Sequence, residues 1–154
     1  MSPQRIASTV RQEVPLLQDD EPLRAAVAEI IAADVPALPV VDARGTLLGI
    51  FGEREFIGAL FPGYLTQLGY AGFVPRSLDK ALEKRASCAD EPVRGYMNTD
   101  HIDVGEDFSD TQLAEIFLHH RVLIVPIVDA GRVTGIVTRE DFTRALAQRL
   151  LALS

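Results

Sequence analysis

Leu38-Pro39-Val40-Val41-Asp42 returns later in the chain as Val125-Pro126-Ile127-Val128-Asp129. The following segments match too: Gly45-Thr46-Leu47-Leu48-Gly49-Ile50-Phe51 against Gly131-Arg132-Val133-Thr134-Gly135-Ile136-Val137, then Glu55-Phe56 against Asp141-Phe142. The offset is 87 from Asp42 to Asp129 and 86 from Gly49 to Gly135, so the second turn is one residue shorter. Upstream the offset of 87 persists, pairing Leu17 with Val104, Val27 with Ala114 and Ile30 with Phe117. A length change confined to a glycine-containing turn is what two copies of one fold tolerate.

Each copy reads the same way. Pro22 stands just inside a helix start, with Asp19-Asp20-Glu21 as cap and first turn. Leu23, Ala26, Val27, Ile30 and Ile31 then share one helical face. The partner helix opens with a Ser109/Gln112 capping-box pattern and turns Leu113, Ile116 and Phe117 inward. An apolar run, a tight turn and a second apolar run follow each helix, predicting a strand hairpin. Further helices are expected from about Glu53 to Leu60 and about Arg139 to Leu151. The class is α/β (α+β), two β-α-β-β-α units. One unit cannot cover its own apolar sheet face, so the two are expected to pack about a pseudo-twofold axis.

The string apolar-Pro-Val-Val-Asp-x-x-Gly-x-Leu-x-Gly-Ile, with Thr138-Arg139-Glu140-Asp141 at the second helix start, resembles the cystathionine-β-synthase (CBS) domain. Two in tandem resemble the CBS pair, or Bateman module. The boundaries read as 1–61 for the first repeat, 62–92 for an apolar insertion with a short helix, and 93–154 for the second repeat. The resemblance implies a regulatory unit sensing an adenosine-containing ligand, dimeric, with clefts between its repeats. AMP, ADP, ATP, adenosine and S-adenosylmethionine are the effector candidates, and no cofactor is required.

The resemblance also implies where a ligand would lie. Asp141 suits ribose hydroxyls, while Thr138, the free helix N–H groups and Arg139 suit a phosphate. Adenine would lie against Asp100, His101 and Ile102 and against Val122, Leu123 and Ile124, ahead of Pro126. Leu123 and Ile124 stand where many nucleotide-binding members carry a basic or polar side chain, which favours a monophosphate, a nucleoside or no ligand. The four residues from Thr138 to Asp141 also read as a plain N-cap with an acid in the first turn, and the two roles are compatible. The first repeat looks degenerate. Gly52 lacks the hydroxyl, Glu55 is a methylene longer than aspartate, and Arg54 reads either as an anion contact or as a surface arginine.

Other chemistry is excluded more readily. A net charge of −7 with scattered arginines speaks against nucleic acid and anionic membranes. No run approaches a membrane span, Met1 to Arg11 carries no signal-like stretch, and the single Cys88 fits a reducing compartment, so the expected location is the cytoplasm. His119-His120 point about 100° apart on a helix and cannot chelate one metal together. Cys88 sits in a polar stretch, Ala86 to Glu91, without a sign of activation, and no nucleophile, base and oxyanion donor combine, so no enzyme is expected. The insertion crowds Tyr64, Leu65, Leu68, Tyr70, Phe73 and Val74 together, then offers a helix from Leu78 to Ala86, capped by Ser77, with Leu78, Ala81 and Leu82 on one face. It is expected either to fold back as extra core or to form a dimer or effector surface. Two readings remain: a ligand-sensing homodimer, or a ligand-free module for dimerisation or docking an unidentified protein.

Overall fold

The Pro39-Val40-Val41 and Pro126-Ile127-Val128 runs both lie in central strands of three-stranded sheets. The computed structural model describes residues 5–61 and 78–153. The first unit runs α1 (Ile6–Val10), β1 (Leu17–Gln18), α2 (Leu23–Ala33), β2 (Ala37–Val41), β3 (Leu47–Gly52) and α3 (Glu53–Leu60). After α4 (Leu78–Arg85) come two 3-10 turns, Ala86–Asp90 and Val93–Gly95. The second unit follows as β4 (Val104–Gly105), α5 (Asp110–His119), β5 (Ile124–Asp129), β6 (Arg132–Thr138) and α6 (Arg139–Leu151). In each sheet the first strand runs parallel to the second and the third runs antiparallel to it.

The two hairpins differ as the offset requires. Asp42 accepts from the N–H groups of Arg44 and Thr46, and Gly45 at φ 83° closes a three-residue turn. The second turn has two residues, Ala130 and Gly131, both left-handed at φ 52° and 81°, the mirror-image turn that matches strand twist.

Proline in a central strand loses no ladder bond here. Pro39 lies opposite Ile50, whose N–H and carbonyl both bond Asn98 on the far side. Pro39 therefore faces its missing donor away from β3, and the parallel neighbour β1 begins only opposite Val40. Pro126 repeats this opposite Ile136.

Each unit completes the other's sheet. Gln12 exchanges two backbone hydrogen bonds of 2.9 Å with Ile136, and Asn98 exchanges bonds of 2.8 and 3.0 Å with Ile50. Ala7 is buried in the second unit's core, and Val93, at the equivalent position, in the first unit's core. This reciprocity is the pseudo-twofold, and the hairpin turns meet where Leu47 N–H bonds the Gly131 carbonyl. Along β5–β6, Ile124 and Ile136 face the first unit's core while Val125 and Val137 face their own helices. Alternation at period two thus fuses the two cores, each fully buried side chain contributing about 1.5–3 kcal/mol. By packing, residues 5–12 lie against the second unit and residues 93–98 against the first.

The N-terminal exchange is pinned by side chains. The Asp110 carboxylate accepts from the N–H groups of Ile6 and Ala7 at 2.7 and 3.0 Å, capping α1 from the other unit. Arg5 lies over the Phe108 ring and donates to the Phe108 carbonyl. Arg11 grips Glu106 with two bonds, 2.7 and 3.2 Å, and the Thr134 hydroxyl donates to the same carboxylate at 2.6 Å. Arg11 first and Thr134 second hold the Glu106 carboxyl down at about 2.

Several local expectations change. Pro22 is the N-cap of α2, and no acid lies in its first turn. Asp19 to Glu21 instead turn the chain out of β1, with the carbonyls of Asp19 and Glu21 accepting from Arg94 and Val93 of the other lead segment. Ile31 is 72% exposed, so the buried face of α2 is narrower than its apolar row. Ser109 Oγ accepts from Gln112 N–H, the first half of the expected capping box. α4 ends at Arg85 and buries only Ala81, leaving Leu78 and Leu82 largely outside. Cys88, despite its polar neighbours, is 2% exposed within the first core. Ser77 and the aromatic cluster at 64–74 lie outside the described residues. Among the described residues no helix is long and apolar enough to cross a membrane.

Two measurements check this scheme. Asp110→Ala should destabilise the protein by about 1–2 kcal/mol, the loss of a trans-acting cap, read as a lower urea midpoint at unchanged slope. Glu106 is depressed on folding, so its stabilisation is present above about 4.5 and lost as pH falls through about 2. Acid titration of stability should therefore be shallower over that window in Glu106→Gln than in the wild type.

Candidate functional site

The exchanged segments bring the β3–α3 corner of the first unit against the segment before Pro126 of the second. Ala37, Ile50, Arg54 and Glu55 come from one side, Asn98, His101 and Arg121 to Ile124 from the other, around a cavity of about 40 Å³. Arg54 spans it, donating to the Arg121 carbonyl at 3.0 Å. The Arg121 guanidinium makes no hydrogen bond or ion pair among the described residues. Glu55 Oε1 accepts from Gly52 N–H at 2.9 Å, which fixes this carboxylate on the cleft wall at the α3 start. His101 turns Nε2 towards Asp103 at 3.9 Å, and its Nδ1 is buried with no partner.

The residues expected to form one cleft of the second repeat are divided. His101, Val122, Leu123 and Ile124 line this cavity beside the first repeat's Arg54 and Glu55. Asp100 is exposed at its edge, its N–H bonded to Asn98 Oδ1, and Ile102 is half-buried beyond it. Pro126 is buried in β5. Thr138, Arg139 and Asp141 are committed elsewhere. Thr138, 4% exposed, caps α6 by accepting from Asp141 N–H at 3.0 Å. Asp141 Oδ2 accepts from Gln12 Nε2 at 2.8 Å. Arg139 donates to the carbonyls of Phe117, His120 and Val122 at 2.6, 2.8 and 3.1 Å, closing the end of α5. The physical reason is the exchange of lead segments, which places each motif corner beside the other repeat's strand. Arg121 and Asn98 also line the cavity and were not singled out from the sequence; superposing the repeats and crossing their leads is the signal that brings them to it.

Gly52 has a packing reason. A Cβ there would lie 2.4 Å from Ala37 Cβ and 2.6 Å from the Pro36 carbonyl. Its φ of −152° is open to any residue, so contact alone selects glycine. Among the described residues no three His, Cys, Asp or Glu side chains group to hold a metal, and His119 and His120 are exposed at the end of α5.

A CBS domain model matches residues 6–62 and 93–148. The fold is shared with the CBS-domain-containing protein ATU1752 of Agrobacterium tumefaciens, with TM-score 0.69 and 23% identity over 92% of this chain and 95% of that one. AcuB of Vibrio cholerae gives 0.70 and 23% over 97% and 94%. CBSX2, solved in complex with AMP, gives 0.67 and 20% over 94% and 96%. The A-adding tRNA nucleotidyltransferase of Aquifex aeolicus is 22% identical over 137 residues, 88% of this chain but 13% of that enzyme's length.

Gly52→Thr, which would restore the motif hydroxyl to the first repeat, should destabilise by about 1–3 kcal/mol through overpacking. Thermal melts of this variant at or above the wild-type midpoint would overturn that assignment.

Proposed function

The chain belongs to the CBS domain family as a tandem pair, a regulatory module, and from that premise we propose that it binds an adenosine-containing ligand between its repeats and thereby shifts a homodimer. The observation that carries this reading is His101 Nδ1, a polar atom buried without a partner at a cleft between repeats. Such an atom is unfavourable by about 1–3 kcal/mol until something completes its hydrogen bond. The apolar wall of Val122, Leu123 and Ile124 beside it suits a flat base, and the fixed Glu55 carboxylate suits a ribose hydroxyl. AMP in the similar CBSX2 structure supports the ligand class. A cavity of about 40 Å³ is far below the roughly 300 Å³ of a small-molecule pocket, so binding requires the Arg54 bridge across it to open, a local change that a ligand would drive.

The second reading, a ligand-free dimerisation or docking module, draws on Ile57 of α3 and Leu146 and Leu150 of α6, large apolar side chains left exposed on the two helices that follow the sheets. A homodimer covering them is common to both readings, and light scattering showing the chain mass alone at tens of micromolar would remove it from each.

Thermal melting with AMP, ADP, ATP, adenosine and S-adenosylmethionine separates the readings. A ligand at about 100 times its dissociation constant adds about 2.7 kcal/mol, a rise of about 5–10 °C for a chain of this size. A midpoint unmoved by all five leaves the ligand-free module.

A further inference from the structure

Resting on the reading of an adenosine-type ligand between the repeats, we infer that this ligand is a nucleoside monophosphate and that each chain takes one, in the cleft of Arg54, Arg121 and His101. The quasi-equivalent cleft, beside the better-preserved Thr138–Asp141 motif, rejects it. The ground is a reversal of charge between equivalent positions. Shifting Arg54 by 86 gives Glu140, and shifting Arg121 back by 87 gives Asp34. His101 falls opposite Val14 or Pro15, neither of which has a polar side chain. Asp34 and Glu140 line one surface hollow together with Glu53, as Arg54 and Arg121 line the other cavity together with Glu55. A phosphate approaching Asp34 and Glu140 meets carboxylates alone. Beside Arg121 it meets two arginines against the one Glu55 carboxylate, which is already held by Gly52 N–H.

The motif groups at α6 bring a phosphate no free cation. The Arg139 guanidinium is bound to three carbonyls, the Thr138 oxygen accepts the Asp141 N–H, and Asp141 adds a further carboxylate. In the other cleft the Arg121 guanidinium is uncommitted, and Arg54 has only the Arg121 carbonyl to give up. Releasing that contact frees a phosphate donor and removes one tie between the two repeats across the cleft. Two arginines against the one Glu55 carboxylate leave this cleft net positive, which favours a single phosphate. Each additional phosphate would arrive without a cation, since Leu123 and Ile124 are apolar. Arg121, one step before Val122, supplies the charge that those two positions lack.

Calorimetric titration of the whole chain with AMP, ADP and adenosine tests this. The wild type should bind one AMP per chain, about tenfold or more tighter than adenosine and tighter than ADP. Arg121→Ala should reduce AMP affinity about tenfold or more while leaving adenosine within about twofold. Glu140→Gln, in the opposite cleft, should leave both unchanged. Two AMP per chain, equal affinity for AMP and adenosine, preference for ADP, or an AMP affinity indifferent to Arg121→Ala would each overturn the inference while leaving the adenosine reading intact. Binding of none of the three would overturn both.

Discussion

Four backbone hydrogen bonds, two between Gln12 and Ile136 and two between Asn98 and Ile50, decide how everything else is arranged. Each closes the outer side of one repeat's third strand with the lead segment of the other repeat. Without them β3 and β6 would be sheet edges, and Ala7 and Val93 would have no core to enter. The two clefts are by-products of the same exchange, because it sets a strand-to-helix corner of one repeat against the approach to the proline of the other. Fold and site therefore rest on one constraint: neither repeat is complete in itself.

The local elements were legible because their signals are local. Period-two runs around Asp42-Ala43-Arg44-Gly45 and Asp129-Ala130-Gly131 could only be hairpins, and the one-residue difference is the difference between two turn types. The helices from Glu53 and from Arg139 fall at the expected residues. The makeup of the clefts was not legible, since a sequence read repeat by repeat groups Thr138 and Asp141 with His101 and Val122 of the same copy. Crossing the lead segments regroups them, and no periodicity within either copy announces a crossing. Cys88 illustrates the same limit: Ala86 to Glu91 is polar in composition, yet its packing partner is a core built from residues as distant in sequence as Leu17 and Ile136.

The two motif corners also show how one local sequence serves two ends. Thr138 and Asp141 form a well-made cap, and that cap, with Arg139 on three carbonyls, ties α5, β5 and α6 into one body. Gly52, Arg54 and Glu55 look like decay of the same pattern, yet the glycine answers to Ala37 and Pro36, and the arginine reaches across to the second repeat. Bonds within one repeat are concentrated at one corner, and a single side-chain bond between repeats stands at the other.

Pro39 and Pro126 carry a further meaning for the interior of the molecule. Both direct their missing donor at the side of the central strand that the two-residue neighbours β1 and β4 do not reach. Both positions are buried, and any other residue would aim an N–H there with no ladder partner to receive it. Such an orphan donor costs about 1–3 kcal/mol. The same ring closure that looks out of place in the middle of a sheet thus lets a neighbour stay two residues long without leaving a buried amide unsatisfied.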